Sequence, residues 1–112
     1  MHINKLTEDY AVCAQIQAAD VAAIKAAGYR SIICNRPDSE EFGQPPVAEI
    51  AAAAKAEGLV FHHVPVVSGR MTMDDVKAMA AALAEAPAPV LAFCRSGARS
   101  GNIWQAAQEL QP

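Results

Sequence analysis

Short apolar runs alternate along the chain with longer stretches in which apolar residues recur every three to four positions. Tyr10–Ala14 is an apolar run of strand length. Ala18–Ala27 sets Val21 and Ile24 at a helical spacing, and Gly28 supplies the stop. Tyr29–Cys34 centres on Ser31, Ile32 and Ile33, a compact strand signal, before Asn35, Arg36, Pro37, Asp38 and Ser39 break the chain. Pro45 and Pro46 open a second helix, where a missing N–H is harmless, and it runs through Val47, Ile50 and an alanine series to Glu57 and Gly58. Leu59–Val64 reads as a third strand, closed by Pro65. Thr72 caps a third helix, with Asp74 and Asp75 in a first turn where the helix dipole favours negative charge. That helix continues to about Glu85, ahead of Pro87 and Pro89. Val90–Phe93 is four apolar residues in a row, the mark of a strand buried on both faces. After Cys94 and a polar loop, a last helix runs from Ala98 or Ser100 to Leu110.

Strand and helix alternate throughout, which predicts an α/β domain of three layers, α/β/α, around a mainly parallel sheet of four to five strands. Ligand sites in such sheets lie outside the carboxyl ends of the strands. The length of 112 residues fits one domain, 1–112, and the 53% hydrophobic and 19% charged composition excludes wholesale disorder. The net charge of -3, with no dense Lys/Arg cluster, argues against a nucleic-acid or polybasic membrane partner. No apolar run approaches the ~20 residues that span a bilayer, and the first residues lack a secretory apolar segment. Three scattered cysteines, Cys13, Cys34 and Cys94, do not make a disulfide framework, so a reducing cytoplasm is the expected setting.

The segment Phe93-Cys94-Arg95-Ser96-Gly97-Ala98-Arg99-Ser100 holds the chemistry. A buried strand delivers Cys94 to the carboxyl edge of the sheet, and a short loop feeds straight into a helix. Backbone N–H groups of that loop and of the first helical turn have no helical partners and form an anion cradle. Gly97 allows close backbone approach, and Arg95 and Arg99 add positive charge whose fork matches a tetrahedral oxyanion. The same field lowers a thiol pKa from about 8.5 into the ~3.5–7.5 range, so Cys94 is the expected nucleophile. Arg99 is its expected catalytic partner, and Arg95, Ser96, Gly97, Ala98 and Ser100 are the expected substrate-binding residues. Gln15, Cys34 and Arg36 fall near strand ends and are expected to line the pocket.

Cys94-Arg95-Ser96-Gly97-Ala98-Arg99-Ser100 resembles the active-site loop of rhodanese-type sulfurtransferases. The rest of the chain resembles the dual-specificity-phosphatase-like family DUF442, the phosphatase-like domain of β-lactamase-hydrolase-like proteins. Val12-Cys13-Ala14-Gln15-Ile16, Ile33-Cys34-Asn35-Arg36-Pro37-Asp38-Ser39-Glu40 and Gly58-Leu59-Val60-Phe61-His62-His63-Val64-Pro65-Val66 carry that likeness. The resemblance implies a protein-tyrosine-phosphatase-like fold. It also implies a choice of chemistry, because some members of the family are labelled sulfur transferases, and fusions to sulfide- or persulfide-oxidising partner enzymes are part of the pattern.

Phosphatases of this type resemble one another in a Cys-x5-Arg loop, whereas here Arg99 comes one position earlier, as in rhodanese-like loops. A phosphatase also wants a general acid, and Val66–Met71 carries no carboxylate. The expected reaction is therefore transfer of sulfane sulfur from thiosulfate or a persulfide through a Cys94 persulfide. The alternatives are a phosphatase working through a phosphocysteine with Asp38 or Glu40 as acid, and a non-catalytic persulfide relay or oxyanion-binding module. No cofactor or metal is expected; adjacent His62 and His63 point to opposite faces of a strand and cannot chelate one ion. Ile103, Trp104 and Leu110 are expected to pack on the sheet, and Met71, Met73 and Met79 to fill the core at a helix start.

Overall fold

The computed structural model describes residues 1–110. Its strands are β1 (Asn4–Lys5), β2 (Tyr10–Cys13), β3 (Ser31–Cys34), β4 (Val60–His63) and β5 (Val90–Phe93). Its helices are α1 (Val21–Ala26), entered through a 3-10 turn at Ala18–Asp20, then α2 (Val47–Ala56), α3 (Met73–Glu85) and α4 (Ala98–Glu109). The strands form a sheet in the order β1-β2-β5-β3-β4, parallel except for β1, which runs antiparallel to β2. The expected α/β architecture with a mainly parallel sheet is the observed one, and the strand count is five. The fifth strand, β1, is two exposed polar residues and carries no apolar signal of its own.

Four-residue strands suffice because their side chains divide cleanly between two cores. Leu91 and Phe93 join Ala11, Cys13, Ile32 and Cys34 on one face, against Val21, Ile24, Val47, Ile50 and Ala54 of α1 and α2. Val90 and Ala92 join Tyr10, Val12 and Ile33 on the other, against Val76, Met79, Ala82, Ile103 and Ala107 of α3 and α4. The consecutive apolar run of β5 is thus two half-cores written in alternation. Tyr10 stacks on Trp104, ring centroids 5.3 Å apart, and its hydroxyl donates to the Ser100 carbonyl at 2.9 Å. Ile103 packs as expected, but Leu110 is exposed at the end of α4, and Met71 and Met73 are exposed where only Met79 is in the core. The last turn of α4 and the start of α3 run past the sheet, so their apolar residues have nothing to cover.

Helix starts are satisfied locally. Thr72 and Asp75 close a reciprocal capping box on α3, at 3.1 Å and 3.0 Å. The Val47 N–H at the start of α2 donates to Asp38 Oδ1 at 2.8 Å.

Register fixes where the functional edge lies. Phe93 of β5 is level with Cys13 of β2 on one side and with Cys34 of β3 on the other. All three central strands end at the same height, and Cys94 is the first residue above them. Truncating Leu91 to Ala in this central strand should lower the unfolding free energy by about 2–5 kcal/mol, measured by urea denaturation. Val60→Ala on the edge strand, where the side chain is part-exposed, should cost less than about 1 kcal/mol; equal losses would mean that β5 is not the centre of the core.

Candidate active site

β5 ends at Phe93 and α4 begins at Ala98, so Cys94–Gly97 is the entire connection. Neighbouring strand ends hold it from both sides. The Gln15 N–H donates to the Arg95 carbonyl at 3.3 Å, and the Asn35 N–H to the Phe93 carbonyl at 2.8 Å. Gly97 has φ +97°, and a Cβ there would lie 3.3 Å from the Cys13 carbonyl oxygen. Both its conformation and its clearance therefore call for glycine. This turn points the loop amides inward, and the Gly97 N–H donates to Cys94 Sγ at 3.0 Å.

Cys94 is buried. Burial pushes its thiol up, but backbone N–H groups of Ser100, Ser96, Gly97 and Arg99 outweigh this and leave it below the ordinary thiol value. The other two cysteines go the opposite way. Burial raises Cys13 to about 12, with the Cys94 charge adding to it. Burial raises Cys34 to about 11, against a lowering contribution from Arg36. One strand edge thus carries one thiol shifted down and two shifted up.

Arg99, in the first turn of α4, is held by two partners. Its Nη1 donates to Glu40 Oε2 at 2.6 Å and to the Val66 carbonyl at 2.9 Å, and its Nη2 donates to Glu40 Oε1 at 2.9 Å. Glu40 Oε1 also accepts from Arg36 Nε at 2.8 Å. Arg36, almost wholly buried, uses Nη1 on Gln15 Oε1 at 3.0 Å and Nη2 on Glu41 Oε1 at 3.3 Å. Arg95 is exposed and reaches Glu41 Oε2 at 3.3 Å. Arg36, Glu40, Glu41, Ser68, Arg95 and Arg99 line a cleft of about 250 Å³. The Arg99 hydrogen bond, aided by Arg36, holds the Glu40 carboxyl below the ordinary carboxylate value despite desolvation.

The family model for the phosphatase-like domain of β-lactamase hydrolase-like proteins matches residues 2–111. The chain belongs to that family. A β-lactamase hydrolase-like protein of Agrobacterium fabrum is 34% identical over 110 residues, which is 98% of this chain and 26% of the relative. The domain therefore spans about a quarter of that longer protein. A Neisseria meningitidis protein described as a candidate phosphatase is 38% identical, with a TM-score of 0.85 over 100% of this chain and 81% of its own. The core catalytic domain of the PP-IP phosphatase Siw14 from S. cerevisiae shares the fold at 19% identity, with a TM-score of 0.71 over 96% of this chain and 65% of that one. The domain is phosphatase-like, and the expectation of sulfur transfer draws no support from these matches.

Within this phosphatase-like domain, the loop residues singled out from the sequence divide by orientation. Gly97 gives its N–H to the Cys94 sulfur, and the N–H groups of Ser96, Arg99 and Ser100 act with it to lower the thiol. Ala98 does not: its N–H faces Ser96 Oγ at 3.3 Å, so it belongs to the helix start rather than to the cradle. Ser100 is fully buried, and its Oγ has no hydrogen-bond partner among the described residues. Of the three residues expected to line the pocket, only Arg36 does so, and its nitrogens are all engaged with Gln15, Glu40 and Glu41. Gln15 stands behind it, with its other amide end on the Ile16 carbonyl. Cys34 is buried beneath, its thiol donating to the Arg36 carbonyl at 3.3 Å. Asp38 is withdrawn as an acid because its carboxylate caps α2.

Glu41, Ser68 and the Val66 carbonyl went unread in the sequence. Two adjacent carboxylates four and five residues beyond a strand-end arginine were the available signal for the first. His63 Nε2 lies 2.9 Å from the Arg36 carbonyl, which ties the edge strand to this corner.

Alkylation by iodoacetamide should modify Cys94 with a pH midpoint below the ordinary thiol value, leaving Cys13 and Cys34 unmodified in the folded protein. Because the thiolate is the form that alkylates, reactivity falls as pH drops through the Cys94 pKa. Gly97→Ala should move that midpoint upward, read by mass spectrometry across pH; an unmoved midpoint would remove the amide ring as its cause.

Proposed function

We propose that the domain is a cysteine-dependent phosphohydrolase that cleaves phosphate monoesters through a phosphocysteine at Cys94. The observation that carries this reading is the Cys94 sulfur, which accepts the Gly97 N–H at 3.0 Å, beside an arginine with two N–H bonds taken by neither Glu40 nor Val66. Of the five N–H bonds of the Arg99 guanidinium, two meet Glu40 and one meets the Val66 carbonyl. The Nε–H and the second Nη2–H are left, a parallel pair with the spacing of two oxygens on one phosphoryl group.

The chemistry follows from that layout. The Cys94 thiolate attacks phosphorus from the side opposite the ester oxygen, and the S–P bond forms as the P–O bond breaks. The three non-bridging oxygens take the N–H groups that held the sulfur, together with the free pair on Arg99. Negative charge thus moves from sulfur to phosphoryl oxygen within a donor set that is already oriented. Water then attacks the phosphocysteine, releases inorganic phosphate and returns the thiolate. An aryl oxygen departs without needing a proton, so an aryl phosphate isolates the nucleophilic step.

With p-nitrophenyl phosphate, Cys94→Ser should abolish turnover, and Arg99→Lys should lower kcat/KM by about 10²–10³-fold, the usual cost of losing a transition-state donor. A parallel thiosulfate–cyanide assay separates the chemistries: thiocyanate release that depends on Cys94, with no phosphate release, would replace this reading by sulfur transfer.

A further inference from the structure

We propose that Glu40 is a positioning residue of the oxyanion site: it clamps one edge of the Arg99 guanidinium so that the opposite edge is presented to the Cys94 loop. The clamp is a two-point fork, Nη1 to Oε2 at 2.6 Å and Nη2 to Oε1 at 2.9 Å. A guanidinium gripped at Nη1 and Nη2 cannot rotate about its own axis, and its remaining Nε–Nη2 edge has one available direction. The Val66 carbonyl at 2.9 Å removes the last alternative by taking the second Nη1–H.

Glu40 is itself braced. Its Oε1 accepts from Arg36 Nε, and Arg36 is pinned by Gln15 and Glu41. The Glu40 N–H donates to Gln44 Oε1 at 3.1 Å. The side chains of Arg99 and Glu40 are 12% and 22% exposed. The charged groups around Glu40 are Arg99 and Arg36, which hold it, and Glu41 with Arg95 beyond them. In this arrangement both Glu40 oxygens are engaged in ion pairs, the role of a counter-ion rather than of the proton donor that its place in the chain first suggested.

This inference rests on the phosphohydrolase reading only for its kinetic readout; its binding readout is independent of turnover. Inorganic phosphate should protect Cys94 of the parent protein from iodoacetamide. In Glu40→Gln the phosphate concentration needed should rise about 10- to 100-fold, the scale of one charge-assisted pair lost. Turnover of p-nitrophenyl phosphate should fall by a similar factor. In an Arg99→Ala background, Glu40→Gln should change kcat/KM by less than about twofold, because the residue through which it acts is gone. Should Glu40→Gln fail to fold, Glu40→Asp, which keeps the charge but retracts the carboxylate, takes its place in both measurements.

Three results would overturn the proposal: unchanged phosphate protection, a full effect persisting without Arg99, or a loss that grows with the leaving-group pKa from aryl to alkyl phosphates. The last would make Glu40 the proton donor. Weakened protection in a parent protein that hydrolyses no phosphate ester would uphold the positioning role and remove the hydrolase reading instead.

Discussion

An ionised sulfur in a nearly dry site is costly unless hydrogen-bond donors replace the water it has lost. Here the replacement is backbone. N–H groups within seven residues of chain act on Cys94, with that of Gly97 bonded to the sulfur, because a short strand-to-helix connection keeps them close. That brevity depends in turn on β5 lying at the centre of the sheet, with β2 and β3 in step on either side. The cores on both faces hold the strand; the strand sets the height of the sulfur; the left-handed turn at Gly97 aims the amides. Without such donors burial dominates, as it does for Cys13 and Cys34, whose thiols it raises.

Side chains extend the same logic outward. Arg99, Glu40, Arg36 and Gln15 form a chain of charged and polar contacts from the first turn of α4 to the end of β2. Ion pairs of partly buried groups seldom stabilise a fold strongly, since desolvation offsets much of the attraction. Their value here is directional. Each member has its donors or acceptors assigned, so the guanidinium nearest the sulfur has little freedom left. The mouth of the cleft is looser: Arg95 and Glu41 are exposed, and their pairing is of the weak surface kind.

Much of this was legible in the residues. The alternating apolar runs named four of the five strands and all four helices, because each buries a stripe or a face that the sequence must encode. β1 was not, since two exposed residues paired only through their backbone leave no pattern. The Cys94 loop was legible because its chemistry is local, held within one turn of chain. The network around it was not. Glu40 meets Arg99 across 59 positions, and nothing in either neighbourhood announces the other. Gln15 and Cys34 were placed at the right edge but one layer too shallow, since strand position gives height above the sheet and not distance from the cleft. The choice between sulfur and phosphorus leaned on loop length and a missing carboxylate, which are weak discriminators, and the family and structural matches favour the phosphatase alternative.

The contact behind Gly97 has a thermal implication. With the Cys13 carbonyl occupying the space a side chain would need, and the Gln15 and Asn35 amides fastened to the strand and loop carbonyls, Cys94 has little slack of its own. It cannot fray ahead of the sheet that carries it. Heating should therefore dismantle the surroundings of the Cys94 thiol and the secondary structure in a single cooperative melt, making the sulfur a reporter on the whole domain.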